Sequence, residues 1–204
     1  WANLRLVREE AKKSGIPFWF CALSIGHLGY QPPTEASLSL QAYIAIAYGA
    51  RGLCWFTYHG IQMNGWYGSP LDPFGEKTPA YRAMQYVNRT ILNYAPLINH
   101  LRSDAVYHIK GYEADVNPPP ADSLIVNIPW ENFLVGEFTH DQTGARYVLL
   151  VNKYLDRPTH ADIQWRTPPK AVYMQAPWGR YEVPWGGEHR MLAPGGAVFL
   201  RVEY

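Results

Sequence analysis

Charged side chains are scarce in this sequence: Asp, Glu, Lys and Arg make up 17 % of its 204 residues, with a formal net charge of +1. That balance creates no field to attract a polyanion. The longest basic cluster, Lys12-Lys13, reads as a solvated helix face, so no nucleic-acid partner is expected. Cysteine is nearly absent. Cys21 and Cys54 each fall inside an apolar run, residues 18–23 and 53–56, without metal-ligand spacing, and read as buried free thiols. The expectation is therefore no metal and no other cofactor. No apolar run has the length of a membrane span, so no membrane partner is expected. The chain begins at Trp1 without an initiator Met or a leader, and further sequence is expected upstream.

Aromatic residues are abundant, with 8 Trp, 15 Tyr and 7 Phe. Flat ring faces suit sugar rings, and the same side chains fill β-rich cores, so composition leaves both readings open.

Patterning divides the chain. Residues 2–14 predict a helix with Leu4, Val7 and Ala11 on one face, and residues 16–24 follow as an almost unbroken apolar strand. Thr34 caps a second helix that stops at Gly49, and residues 52–58 form a second apolar strand. Thr78 and Pro79 open a third helix, with Pro96 close to its end. This helix–strand alternation predicts a parallel α/β unit over residues 1–103, its strands buried on both faces. From residue 104 to 204, about seven short strands between Pro-, Gly- and Asp-rich turns predict an antiparallel β-sandwich.

Long loops, residues 25–33 and 59–77, follow the two apolar strands, where α/β folds build their sites. His27 and Tyr30 lie in the first loop. Trp55, Tyr58 and His59 end the second strand, and Trp66 and Tyr67 occupy its loop. These seven are the candidate substrate-binding residues. In the second half, Trp130, Trp165, Trp178 and Trp185 suggest a sugar-binding module, but they flank turns where aromatics cover sheet ends. Asn88-Arg89-Thr90 fits a glycosylation pattern but lies within a helix.

The segments Pro17-Phe18-Trp19, Pro33-Thr34-Glu35, Leu40-Gln41-Ala42-Tyr43, Ala47-Tyr48-Gly49-Ala50 and residues 52–58 occur in an order and spacing that carry a resemblance. So do residues 75–81 with Asn88, and Gly136-Glu137-Phe138, Val151-Asn152-Lys153 and residues 192–196 further on. The chain resembles the C-terminal part of bacterial β-galactosidase-like (β/α)8-barrel glycoside hydrolases with an appended β-sandwich domain. The resemblance implies the last two βα units of an incomplete barrel, a carbohydrate substrate, and an N-terminal barrel half in the same protein or a separate chain. It also implies a secreted or periplasmic location.

Glycoside hydrolysis uses two carboxyl groups, one to protonate the leaving oxygen and one as nucleophile or base. The resemblance implies a nucleophile at the end of the first apolar strand, where Ala22 stands instead. The carboxylates left near the loops are Asp72 and Glu35, the candidate catalytic residues, and Glu76, which reads as solvent-exposed. Glu35 also suits a helix's first turn and Asp72 a turn before proline. The leading expectation is part of a glycoside hydrolase whose catalytic carboxylates lie at least partly outside the chain. The alternatives are a non-catalytic carbohydrate-binding relative and a purely structural fragment.

Overall fold

The computed structural model describes residues 1–62, 64–129 and 131–204, so Trp130 lies outside the described residues. Helix α1 (Ala2–Ser14) leads to β1 (Trp19–Leu23), α2 (Glu35–Ala47), β2 (Gly52–Phe56) and α3 (Pro79–Ile98). There follow β3 (Leu101–Ile109), α4 (Tyr112–Val116), β4 (Ile125–Asn127), β5 (Phe133–His140) and β6 (Arg146–Asn152). The chain ends with β7 (Thr159–His160), β8 (Gln164–Trp165), β9 (Ala171–Gln175), β10 (Glu182–Pro184), β11 (Met191–Leu192) and β12 (Ala197–Glu203).

The main sheet is antiparallel and six-stranded, in the order β10-β9-β12-β6-β5-β3. β1 and β2 pair in parallel as a separate two-stranded sheet, and β4-β8 and β11-β7 form two short ribbons. This mixed α/β arrangement overturns the expected two units of a barrel followed by a sandwich. The second half is a single broad sheet, covered by helices on one face and by short ribbons on the other. Leu134, Phe138, Leu149, Val151 and Phe199 meet Tyr43, Ile46, Tyr94 and Ile98 of α2 and α3. Phe133, Val135, Val148, Leu150 and Leu200 pack on the opposite face with Ile125, Ala161 and Leu192. Central strands covered on both sides are apolar at most positions, as residues 133–135 of β5 and 147–151 of β6 are, with Glu137 a buried exception.

α2 is the middle layer. Its capping box is complete: Thr34 Oγ1 accepts from Ser37 N at 3.1 Å, and Ser37 Oγ accepts from Thr34 N at 2.9 Å. Tyr43, Ile46 and Ala47 turn toward the main sheet, while Leu38 and Ala42 join Met84 and Val87 of α3 beneath Leu53 and Trp55. A helix wedged between two layers needs apolar residues nearly all round, which explains its lack of a polar face.

The parallel pair corrects two further expectations. Its strands are covered on one face only. Trp19 (71 %) and Phe56 (41 %) are exposed, as are Cys21 and Cys54, so the thiols are not buried. An unbroken apolar run does not reveal whether anything covers its second face. On α1 the buried residue is Arg8, with Val7 exposed. α3 runs through Pro96 to Ile98. No helix among the described residues is long and apolar enough to cross a membrane.

Candidate functional site

The loops that leave β1 and β2 are zipped together. Gly26 N donates to Tyr67 O at 2.8 Å and Tyr67 N to Gly26 O at 3.0 Å. A Cβ on Gly26 would stand 3.0 Å from Pro32 N and 3.1 Å from the Tyr67 ring, so the approach depends on glycine. Ser24 anchors the two strand ends, its N donating to Phe56 O at 2.6 Å and its Oγ to Thr57 O at 3.1 Å. From α2, Gln41 closes the end of β1 by accepting from Leu23 N at 2.7 Å and donating to Leu23 O at 3.0 Å.

This frame assembles an aromatic floor. His27 stacks on Trp66 with ring centroids 4.1 Å apart and planes 10° from parallel. Phe56 meets Trp66 edge-on at 5.9 Å, and Tyr30 lies 5.4 Å from His27. His27 is buried beneath the group, Trp66 is half-buried, and Tyr30 and Tyr67 are exposed. His27 occupies one face of the Trp66 ring. The outward surface therefore combines exposed tyrosine and phenylalanine rings with phenolic hydroxyls. Such a surface can stack on an apolar sugar face and hydrogen-bond its hydroxyls.

The other candidates separate from this floor. Tyr58 is exposed beside Tyr81, 6.3 Å away, whose ring also carries Lys77 Nζ at 4.5 Å. Slight desolvation of its hydroxyl and the neighbouring Tyr81 push the Tyr58 pKa upward. His59 is exposed and forms a backbone bridge to Leu71. Trp55 turns the opposite way: its Nε1 donates to Asn88 Oδ1 at 3.0 Å and its ring packs under α3. Phe56, its neighbour on the exposed face, joins the floor instead. Strand alternation could have found Phe56 once Trp55 had been assigned to the helix side.

The candidate carboxylates occupy different neighbourhoods. Asp72 Oδ1 accepts from Phe74 N at 2.9 Å and Glu76 N at 2.8 Å, holding its own turn. Glu35 is exposed at the start of α2 and borders a groove of about 260 Å³ with Tyr86, Trp178 and His189. Ala22 is buried. In the second half, Trp165 and Trp185 pack against the core and Trp178 is exposed, its Nε1 donating to Tyr181 Oη at 2.5 Å. Among the described residues no group of three or more His, Cys, Asp or Glu is placed to hold a metal ion.

A site that sequence reasoning missed lies where α1 meets β3. His108 is buried, with Tyr48 Oη 3.1 Å from its Nε2 and Lys153 Nζ 3.1 Å from its Nδ1. An ammonium can only donate, so Nδ1 accepts and Nε2 carries the proton. Trp1 covers the imidazole edge-on at 4.8 Å, and together they line a cavity of about 320 Å³. Burial and the neighbouring Lys153 push the His108 pKa down to about 3. Its partners come from three separate stretches of chain, so no local motif announces it.

No protein-family model matches the chain, and comparison with curated proteins finds none that matches it.

Proposed function

We propose that this chain binds carbohydrate through the floor formed by Tyr30, Phe56, Trp66 and Tyr67, as the sugar-contacting part of a glycoside hydrolase. The observation that carries the reading is the stacking of His27 on Trp66, which fixes a rigid base under exposed rings. A rigid aromatic platform loses little conformational entropy when a sugar docks on it. The catalytic carboxylates belong to sequence outside this chain, since Asp72 is committed to its turn and Glu35 borders another groove. That same placement supports a second reading, a carbohydrate binder without hydrolytic activity.

Calorimetric titration of the chain with a panel of oligosaccharides tests the proposal. Tyr67→Ala should weaken binding by about 1–2 kcal/mol, the scale of one aromatic contact, and leave the melting temperature nearly unchanged. Absence of binding to every glycan tried would defeat it. Hydrolysis of nitrophenyl glycosides by the chain alone, abolished in Asp72→Asn, would instead return a catalytic carboxylate to this chain.

A further inference from the structure

β1 and β2 run parallel in a register that sets Cys21 opposite Cys54. Residues paired across a ladder point to the same face, here the one that no helix covers. Both cysteines are exposed there, between Trp19 at one end of the pair and Phe56 at the other. Cys54 Sγ donates to Phe20 O at 3.6 Å, across the same strand pair.

Two chemistries can join adjacent thiols. A disulfide needs Cβ atoms about 3.8 Å apart, whereas residues directly opposite in a ladder hold theirs about 4.5–5.5 Å apart, so forming it would draw the two strands together. A cation between the sulfurs adds two metal–sulfur bonds of about 2.3 Å each, the zinc–thiolate length, and spans the gap without that distortion. Zinc would need four ligands, and no cluster of three or more ligating side chains exists among the described residues. Thiolates also favour soft cations, of which monovalent copper is the biological example.

We propose that Cys21 and Cys54 form a two-thiolate site for a soft monovalent cation, copper(I). One Cu⁺ replaces two thiol protons, forming two Cu–S bonds and releasing two H⁺, with no electron transferred. Trp19 and Phe56 flank the site with apolar surface.

The test is anaerobic titration of the whole chain with copper(I) against a chromogenic copper(I) chelator. The expected result is one ion withdrawn per chain, with two protons released per ion in weakly buffered solution. Cys21→Ser and Cys54→Ser should each weaken binding by about 100-fold or more, because one thiolate leaves half the coordination empty. Alkylating the thiols of the native wild-type chain gives the same test without a substitution, and should abolish binding. A stoichiometry other than one, wild-type affinity in either serine variant, or copper retained after alkylation would each overturn the assignment.

Discussion

His108 carries a pH dependence that can be worked out from its surroundings. Its pKa in the folded chain is about 3, against an unfolded-state value of about 6.5. Between these values the unfolded chain binds a proton that the folded chain refuses. The contribution of His108 is therefore complete above about pH 6.5 and is lost on acidification toward pH 3, by up to about 1.4 kcal/mol per pH unit. Glu137 works in the opposite sense, because burial raises its pKa despite the hydrogen bonds from Tyr107 and Leu124. The informative quantity is thus the difference between wild type and His108→Gln, in which the Glu137 contribution cancels. Urea unfolding from pH 3.5 to 7 should give a shallower rise of stability with pH in the variant, by nearly one proton. Parallel curves would mean that His108 is protonated in the folded chain. The sequence offers no hint of this residue, because Tyr48, Lys153 and Trp1 reach it only through the tertiary fold. His27, Trp66 and Tyr67 were legible, because they lie in loops leaving apolar strands, a position that can be counted along the chain.

Elements were readable where their signals are local. The cap at Thr34, the left-handed Gly15 after α1 and the Pro79 start of α3 appear where the sequence places them. Coverage was not readable, since a strand such as β1 is equally apolar whether one face is packed or both. The docking of α1 illustrates the point: its hydrophobic periodicity selects Val7, yet a buried arginine makes the attachment. Arg8 Nη1 donates to Ser103 Oγ at 2.6 Å and Nη2 to Asp104 O at 3.1 Å, joining α1 to β3. Burial lowers the arginine pKa, with Glu9 and Asp104 acting in the opposite direction. Arg8→Ala removes charge-assisted bonds and leaves buried acceptors unpaired. It should cost about 2–4 kcal/mol in urea unfolding. A loss below about 0.5 kcal/mol, the size of an ordinary surface substitution, would show that α1 is held by Leu4 and its apolar neighbours instead. The contact of α2 with the loop before β12 is equally specific. Gly195 has φ +63°, and a Cβ there would lie 2.0 Å from Ala36 O, so Gly195→Ala must push the loop off the helix. A melting temperature within a degree of wild type for that variant would contradict the packing.

At the scale of the whole molecule, the layers are satisfied unevenly. The six-stranded sheet is covered on both faces, and α2 is buried between layers. Among the described residues, the parallel pair has no strand neighbour on either edge and no cover on the face carrying Trp19, Cys21, Cys54 and Phe56. Two open edges and an apolar face are together a template for association, because unpaired backbone groups and uncovered rings gain from the same contact. Each 100 Å² of apolar surface removed from water contributes about 2.5 kcal/mol before the entropy of association is subtracted. Covering this face in a second copy should therefore give dimers at micromolar concentrations. Sedimentation velocity should show a concentration-dependent shift for the wild type. Trp19→Lys should abolish it, since a charge within the contact would have to be desolvated. The exposure of Trp19 means that the same substitution should leave the melting temperature of the monomer within a few degrees of wild type. The sulfurs should report on the contact as well: if the faces meet, modification of Cys21 and Cys54 by a bulky thiol reagent should slow as protein concentration rises. A sedimentation coefficient independent of concentration, with thiol modification equally fast at every dilution, would show that this face stays open to water.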